Sequence, residues 1–300
     1  MKKINVFFAS LCLGSMVVTG HVTAKPVLQP LGPNIAETGS PSYTFKVFNL
    51  DSQDGQRHYR VWLGLPRHAT PATGYPVLYL LDGNKVMDSL NEKLLYALNQ
   101  RRDAPVLVSI GYQTNLPFDV DARTRDYTLT TSDGKLYPDP RNPARLAGGS
   151  TEFREVLLQK IIPWVNQNTK VDPQRKAIFG HSYGGLFVLD TYLNSHYFTD
   201  YFAASPSVTW ADGKIQQPLQ QASAQQLQAK RLWILEGDML DDTHPANIER
   251  GIPQILDTDR KITRDLQRKG ADVKLVAYPN VSHGEMFQKA LFDVLSKQWY

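Results

Sequence analysis

Apolar positions along this chain gather into short runs rich in β-branched and aromatic side chains. They span Tyr43 to Phe48, Tyr59 to Leu65, Val77 to Leu81, Pro105 to Ile110, Ala177 to Phe179, Tyr201 to Ala204, Arg231 to Leu235 and Val273 to Tyr278. Runs of this kind, bounded by Gly, Pro, Asn and Asp, predict strands. Elsewhere the apolar spacing changes to three and four residues, at about 86–99, 152–168, 183–195, 246–269 and 285–297, which predicts helices. Strands alternating with helices predict an α/β fold with a mostly parallel central sheet and helices on both faces. No repeat, low-complexity tract or separating linker breaks the pattern, so one domain is expected over residues 26–300. Residues 111–150 depart from it, with Pro117, Pro138, Pro140 and Pro143 among polar residues of no fixed period. They predict a long irregular loop that follows a buried strand, at the carboxyl end of the sheet where open α/β folds bind ligands.

The first 24 residues are a different kind of segment. Lys2 and Lys3 precede an apolar run from Ile4 to Val18, and Val22 and Ala24 stand just before Lys25-Pro26. This reads as a secretory signal peptide cleaved after Ala24. The run is short for a bilayer and broken by Gly14 and Ser15, so no membrane anchor is expected after cleavage. Cys12, the single cysteine, falls inside the leader, which leaves the mature chain without a disulfide, a thiol nucleophile or a cysteine metal site. The fold must therefore hold by core burial, for which 300 residues that are 42% hydrophobic suffice. A formal charge of +4, which counts Lys2 and Lys3, comes with no long basic run and gives no basis for a nucleic-acid partner.

The stretch "AIFGHSYGGLFVLDTYL" carries the chemistry. A buried strand ends at Gly180, a helical periodicity starts at Tyr183, and Ser182 stands between them. Strand, sharp turn and helix around a Gly-x-Ser-x-Gly describe a nucleophile elbow, with the serine Oγ projecting and the glycines letting strand and helix approach. The Tyr183 N–H would point to the same place from the positive end of the new helix. A serine hydroxyl needs a base, and in this arrangement the order is serine, acid, histidine. His283, in "YPNVSHGEMF" after the last predicted strand, is the candidate base, with His244 its one rival. The orienting acid should follow Arg231 to Leu235, in "LEGDMLDDTHP". Asp241 and Asp242 are favoured over Asp238 and Glu236, and a Ser-His pair without an acid stays open. A second oxyanion donor is expected at the N–H of Asn84, after the turn Leu81-Asp82-Gly83. No metal or other cofactor is expected, because neither the histidines nor the carboxylates fall at ligand spacing.

Seven elements occur in one order: "PVLYLLDGN", "VSIGY", "RTRDYT", "GGSTEFREVLLQKIIPWV", "GHSYGGLFVL", "AASPSVTW" and "SHG". In these the chain resembles the putative-esterase branch of the α/β-hydrolases over most of residues 43–298. Within that branch it is most similar to periplasmic esterases that open trilactone catecholate siderophores such as enterobactin and salmochelin. The resemblance implies an α/β-hydrolase fold, periplasmic location, Ser182 as nucleophile, His283 as base, and Asn84 and Tyr183 as oxyanion donors. It also implies that the third triad member can be missing. A ferric tris-catecholate carries a charge of about −3, so its site should offer cations and aromatic edges. Arg123, Arg125, Arg141 and Arg145 lie in the expected loop beside Tyr112, Phe118 and Tyr127, and Trp210 could add an aromatic wall. Of these, Arg123, Arg125, Tyr127 and Trp210 are taken as the substrate-binding set. The expected activity is that of a serine esterase on a small-molecule siderophore ester. An esterase for acylated or feruloylated sugars, or a non-catalytic siderophore-binding protein of this fold, are the alternatives.

Overall fold

The computed structural model describes residues 28–239 and 252–296; the expected leader, Asp241, Asp242, His244 and the first residues of the helix expected over 246–269 lie outside them. In chain order the strands are β1 (Tyr43–Asp51), β2 (His58–Pro66), β3 (Tyr75–Leu81), β4 (Val106–Tyr112), β5 (Tyr137–Asp139), β6 (Asn142–Ala147), β7 (Val171–His181), β8 (Asp200–Ala204), β9 (Arg231–Gly237) and β10 (Asp272–Tyr278). Eight of them, each overlapping one of the apolar runs, form one sheet in the order β1-β2-β4-β3-β7-β8-β9-β10. β1, β2 and β4 pair antiparallel, and from β4 to β10 every pairing is parallel.

The parallel strands are apolar because both of their faces are covered. On β3, Val77, Tyr79 and Leu81 pack on one side with Phe153, Leu157 and the helix Tyr183–Asn194, which we call the elbow helix. Leu78 and Leu80 pack on the other side with Val86, Leu95, Leu98 and the helix Met286–Ser296. The elbow helix is buried almost all round, so its sequence is apolar at nearly every position.

Three expectations change. The helix expected over 86–99 is two, Gly83–Ser89 and Glu92–Asn99, because Asn91 caps the second by accepting the Leu94 N–H at 3.0 Å. The helix over 152–168 contains a π-turn at Leu157–Ile161, next to Pro163, which has no N–H to donate to the ladder. Residues 111–150 are not one irregular loop, since they hold the helix Val120–Tyr127 and the hairpin β5–β6. That helix escaped the apolar pattern because most of what it buries is polar: Thr124 and Asp126, beside Tyr127.

Candidate active site

Ser182 ends the turn between β7 and the elbow helix with φ 58° and ψ −115°, a backbone strain that persists only where surrounding bonds hold it. Three do: its N–H donates to Ala204 O at 2.9 Å, and its carbonyl accepts from Leu186 N at 2.9 Å and Ser207 N at 3.1 Å. The turn is tight enough that a Cβ on Gly180 would lie 2.4 Å from Gly184 O. A Cβ on Gly184 would meet nothing closer than 3.5 Å, so of the two motif glycines only the first is sterically required.

His283 reaches this turn from the loop between β10 and the closing helix Met286–Ser296, with Nε2 at 3.1 Å from Ser182 Oγ. That is the contact a serine and its base require. Enclosure within the site, then the guanidiniums of Arg141 and Arg123, lower the His283 pKa to about 4 from the ordinary 6.5. The outer edge of the residue is open to solvent, so the downward direction is what a mechanism can use. A ring held below its usual pKa is neutral, and able to accept a proton, well into mildly acidic solution.

The loop after β9 does not supply an acid to His283 among the described residues. Glu236 Oε1 accepts from Ser205 Oγ at 2.7 Å, and Asp238 Oδ1 accepts from the Asn280 N–H at 2.6 Å. Burial pushes the Glu236 carboxyl above its usual range, and it shares its buried surroundings with Asp259, whose carboxyl is raised by burial and by Glu236.

The oxyanion candidates separate. Tyr183 opens the elbow helix, so its N–H has no intrahelical acceptor, and its ring hydroxyl is fixed on Asp139 at 3.0 Å. Asn84 is buried at the start of the helix Gly83–Ser89, and its side chain is bound to the end of β4: Nδ2 donates to Tyr112 O and Thr114 O, and Oδ1 accepts from Tyr112 N. These bonds engage the side chain only, and fix the start of this helix against the end of β4. Gly83 permits this packing, since a Cβ there would lie 2.6 Å from the Ile110 carbonyl carbon.

Of the cations and aromatics expected around the site, Arg123 is held against the oxyanion turn through Asp82. Its Nε and Nη2 donate to Asp82 at 2.7 and 2.9 Å, a two-point clamp that keeps it charged against the cost of its burial. The guanidinium also lies over the Tyr183 and Tyr127 rings and acts electrostatically on His283. This clamp escaped sequence reasoning because Asp82 looked like an ordinary turn residue before a glycine. Its left-handed φ of 55° is visible only in the fold.

Arg141, one of the four arginines of the expected loop, stands one serine away from Ser182. Its Nη1 donates to Ser207 Oγ at 3.3 Å, and Ser207 Oγ is 3.5 Å from Ser182 Oγ. No carboxylate neutralises its guanidinium among the described residues. The structure does not bring the other expected binding residues to the serine. Arg125 is bound to Asp54 and Glu152 at 2.6 and 3.1 Å. Tyr127 is buried, and its hydroxyl accepts the Asp82 N–H. Trp210 is buried too, donating through Nε1 to Asp139 at 2.8 Å, and so serves as core beneath the hairpin and not as an open wall. Arg145 pairs with Asp121 at 2.9 Å.

Residues 52–297 match the family model described as "Putative esterase". The chain is 41% identical over 293 residues to an apo-salmochelin esterase of Escherichia coli O6:H1 (strain CFT073), covering 96% of this chain and 91% of that protein. It is 37% identical over 175 residues to the ferri-bacillibactin esterase BesA of Bacillus subtilis (strain 168), covering 55% of this chain and 59% of that one. A solved structure titled "Enterobactin and Salmochelin Hydrolase IroE" superposes with a TM-score of 0.74 at 39% identity, covering 88% of this chain and 100% of that one.

Proposed function

The chain belongs to the family described as "Putative esterase" and is a carboxylic ester hydrolase of α/β-hydrolase fold, and from that premise we propose that it opens trilactone catecholate siderophores of the enterobactin and salmochelin type. The observation that carries the mechanism is the 3.1 Å contact between His283 Nε2 and the strained Ser182. His283 accepts the Oγ proton as Ser182 attacks an ester carbonyl of the substrate. The developing oxyanion is met by the Tyr183 N–H, by the Asn84 N–H, and by the charge of the clamped Arg123. His283 then returns the proton to the departing alkoxide of the lactone serine. Water, deprotonated by the same imidazole, releases the linear product. Neither step needs an orienting carboxylate if His283 is held in place otherwise.

The substrate class is supported by charge as well as by likeness. Arg141 presents an exposed guanidinium, without a carboxylate partner among the described residues, one serine away from the nucleophile. A catecholate anion would complete its coordination. The charged-then-apolar first 24 residues support export and a periplasmic place of action, where such a substrate would be met.

The test is hydrolysis of enterobactin and of a feruloyl ester by the wild type and by Ser182→Ala, with products separated by chromatography. Linear catechoyl-serine products from the wild type and none from Ser182→Ala are expected. Equal turnover by both proteins would end the serine mechanism. Feruloyl cleavage with enterobactin untouched would end the siderophore reading.

A further inference from the structure

We infer that His181 is a positioning residue for the base: through its Nε2–H it holds the main chain of His283 at the distance from Ser182 that proton transfer needs. The inference rests on the Ser182–His283 mechanism proposed above and adds to it a group that fixes the histidine. Among the described residues no carboxylate is bonded to His283, and a serine–histidine pair loses most of its efficiency when the ring is free to turn.

The geometry is direct. His181 Nε2 lies 2.8 Å from the backbone carbonyl oxygen of His283. A carbonyl only accepts, so this nitrogen carries the proton. The two imidazoles also touch, with ring centres 4.8 Å apart at 42°. On its other side the His181 ring meets the edge of Phe287, in the closing helix, at 5.7 Å. His181 is buried, and burial together with its neighbour His283 lowers its pKa well below the ordinary value, so it stays a neutral donor. It is also the last residue of β7 and directly precedes Ser182 in the chain. The element that projects the nucleophile thus grips the loop that carries the base, and the two reacting atoms are registered through a single peptide unit.

The rest of the loop is tied in ways that do not reach the imidazole. Ser282 and Glu285 bond each other, Met239 N donates to Val281 O, and Asn280 N donates to Asp238. These bonds set the path of the chain before and after His283. Among the described residues, His181 is, apart from Ser182, the side chain from outside the loop that bonds to His283, and it also touches the ring.

Two measurements decide the matter. In the wild-type protein, ¹⁵N NMR of the histidine rings should find His181 neutral with its proton on Nε2 between about pH 5 and 8. A proton on Nδ1 instead, or a charged ring, overturns the inference without any variant. The second measurement is a cycle with His181→Phe, which keeps the ring's volume and loses the donor, His181→Gln, which keeps a donor at similar reach, and His283→Ala. Misplacement of a catalytic group by about 1 Å costs on the order of 100-fold, so His181→Phe should lower kcat roughly 30- to 100-fold with KM within about twofold. His181→Gln should recover most of that loss. In a His283→Ala background, His181→Phe should add nothing, because its effect passes through the base. Equal losses in Phe and Gln variants, or an undiminished effect of Phe without His283, would show a merely structural role. Full activity of His283→Ala alone would instead remove the serine–histidine mechanism and leave the bond between residues 181 and 283 as a structural fact. If His181→Phe does not fold, the Gln variant and the wild-type tautomer still decide.

Discussion

At Ser182 the backbone and the base answer to different physical demands, and each gives a prediction. The two glycines of the motif look equivalent in the sequence, yet a Cβ at residue 180 would overlap Gly184 O at 2.4 Å while one at residue 184 has space to 3.5 Å. Gly180→Ala should therefore shift the turn and cost at least about 100-fold in kcat/KM. Gly184→Ala should keep activity within a few-fold and gain at most about 1 kcal/mol of stability, which steady-state kinetics and urea titration would compare. The imidazole of His283 is held below 6.5 by enclosure, then by Arg141 and Arg123. The base works when neutral, so the acid limb of the kcat/KM profile should lie below pH 6.5. Removing a nearby positive charge raises a histidine pKa, so Arg141→Ala should move that limb upward, by about half a unit at low salt, and by less at high salt. A limb that stays put or moves down would place Arg141 electrostatically outside the site. The serine, its histidine and the elbow were legible because each is a residue type at a fixed place in a pattern. The Asp82–Arg123 clamp was not, because its partners are 41 positions apart and neither pattern nor spacing joins them.

Elements show the same division between what burial writes into a sequence and what polar contacts hide. A strand buried on both faces has to be apolar, which made the central strands legible, while the edge strands β1 and β10 kept enough half-buried β-branched and aromatic positions to be found as well. The hairpin β5–β6 gave no such signal, since it has little apolar surface to bury and is fixed instead by the buried Asp139. That carboxylate accepts from the Tyr183 hydroxyl, from Trp210 Nε1 and from the Arg141 backbone N–H at 3.2 Å, and so brings Arg141 over the nucleophile. Asp139→Ala leaves two buried donors unpaired, which should cost roughly 2–4 kcal/mol in urea unfolding. Because it also frees the hairpin, KM for a catecholate substrate should rise about tenfold while kcat changes less. A variant with normal KM would mean that the hairpin does not carry substrate contacts.

Across the whole molecule, the groups proposed to react come from ends of different strands, all at the carboxyl side of the parallel sheet, where the topology gathers loops that the sequence keeps far apart. Ser182 follows β7, Asn84 follows β3, and His283 follows β10, so the site is a property of the sheet order and not of any one segment. The same order makes the end of β9 the position where a triad would place its acid. Of the described residues Glu236 stands there, but it is turned into the protein, bonded to Ser205 and set beside Asp259, and no cation among the described residues pairs with either carboxyl. Burial raises both acids above their usual range, so the folded protein binds protons that the unfolded chain releases. Stability from this pair is present below the ordinary carboxyl pKa near 4 and is lost as pH rises toward neutrality. Glu236→Gln removes one ionisable group and keeps the shape and the bond with Ser205. It should therefore raise the melting temperature at pH 8 and flatten the decline that the wild type shows between pH 5 and pH 8. If Glu236 were instead the orienting acid of a triad, the same change would lower kcat by up to about 10⁴. Activity within about threefold of wild type, with the flatter melting profile, is the outcome that this placement predicts.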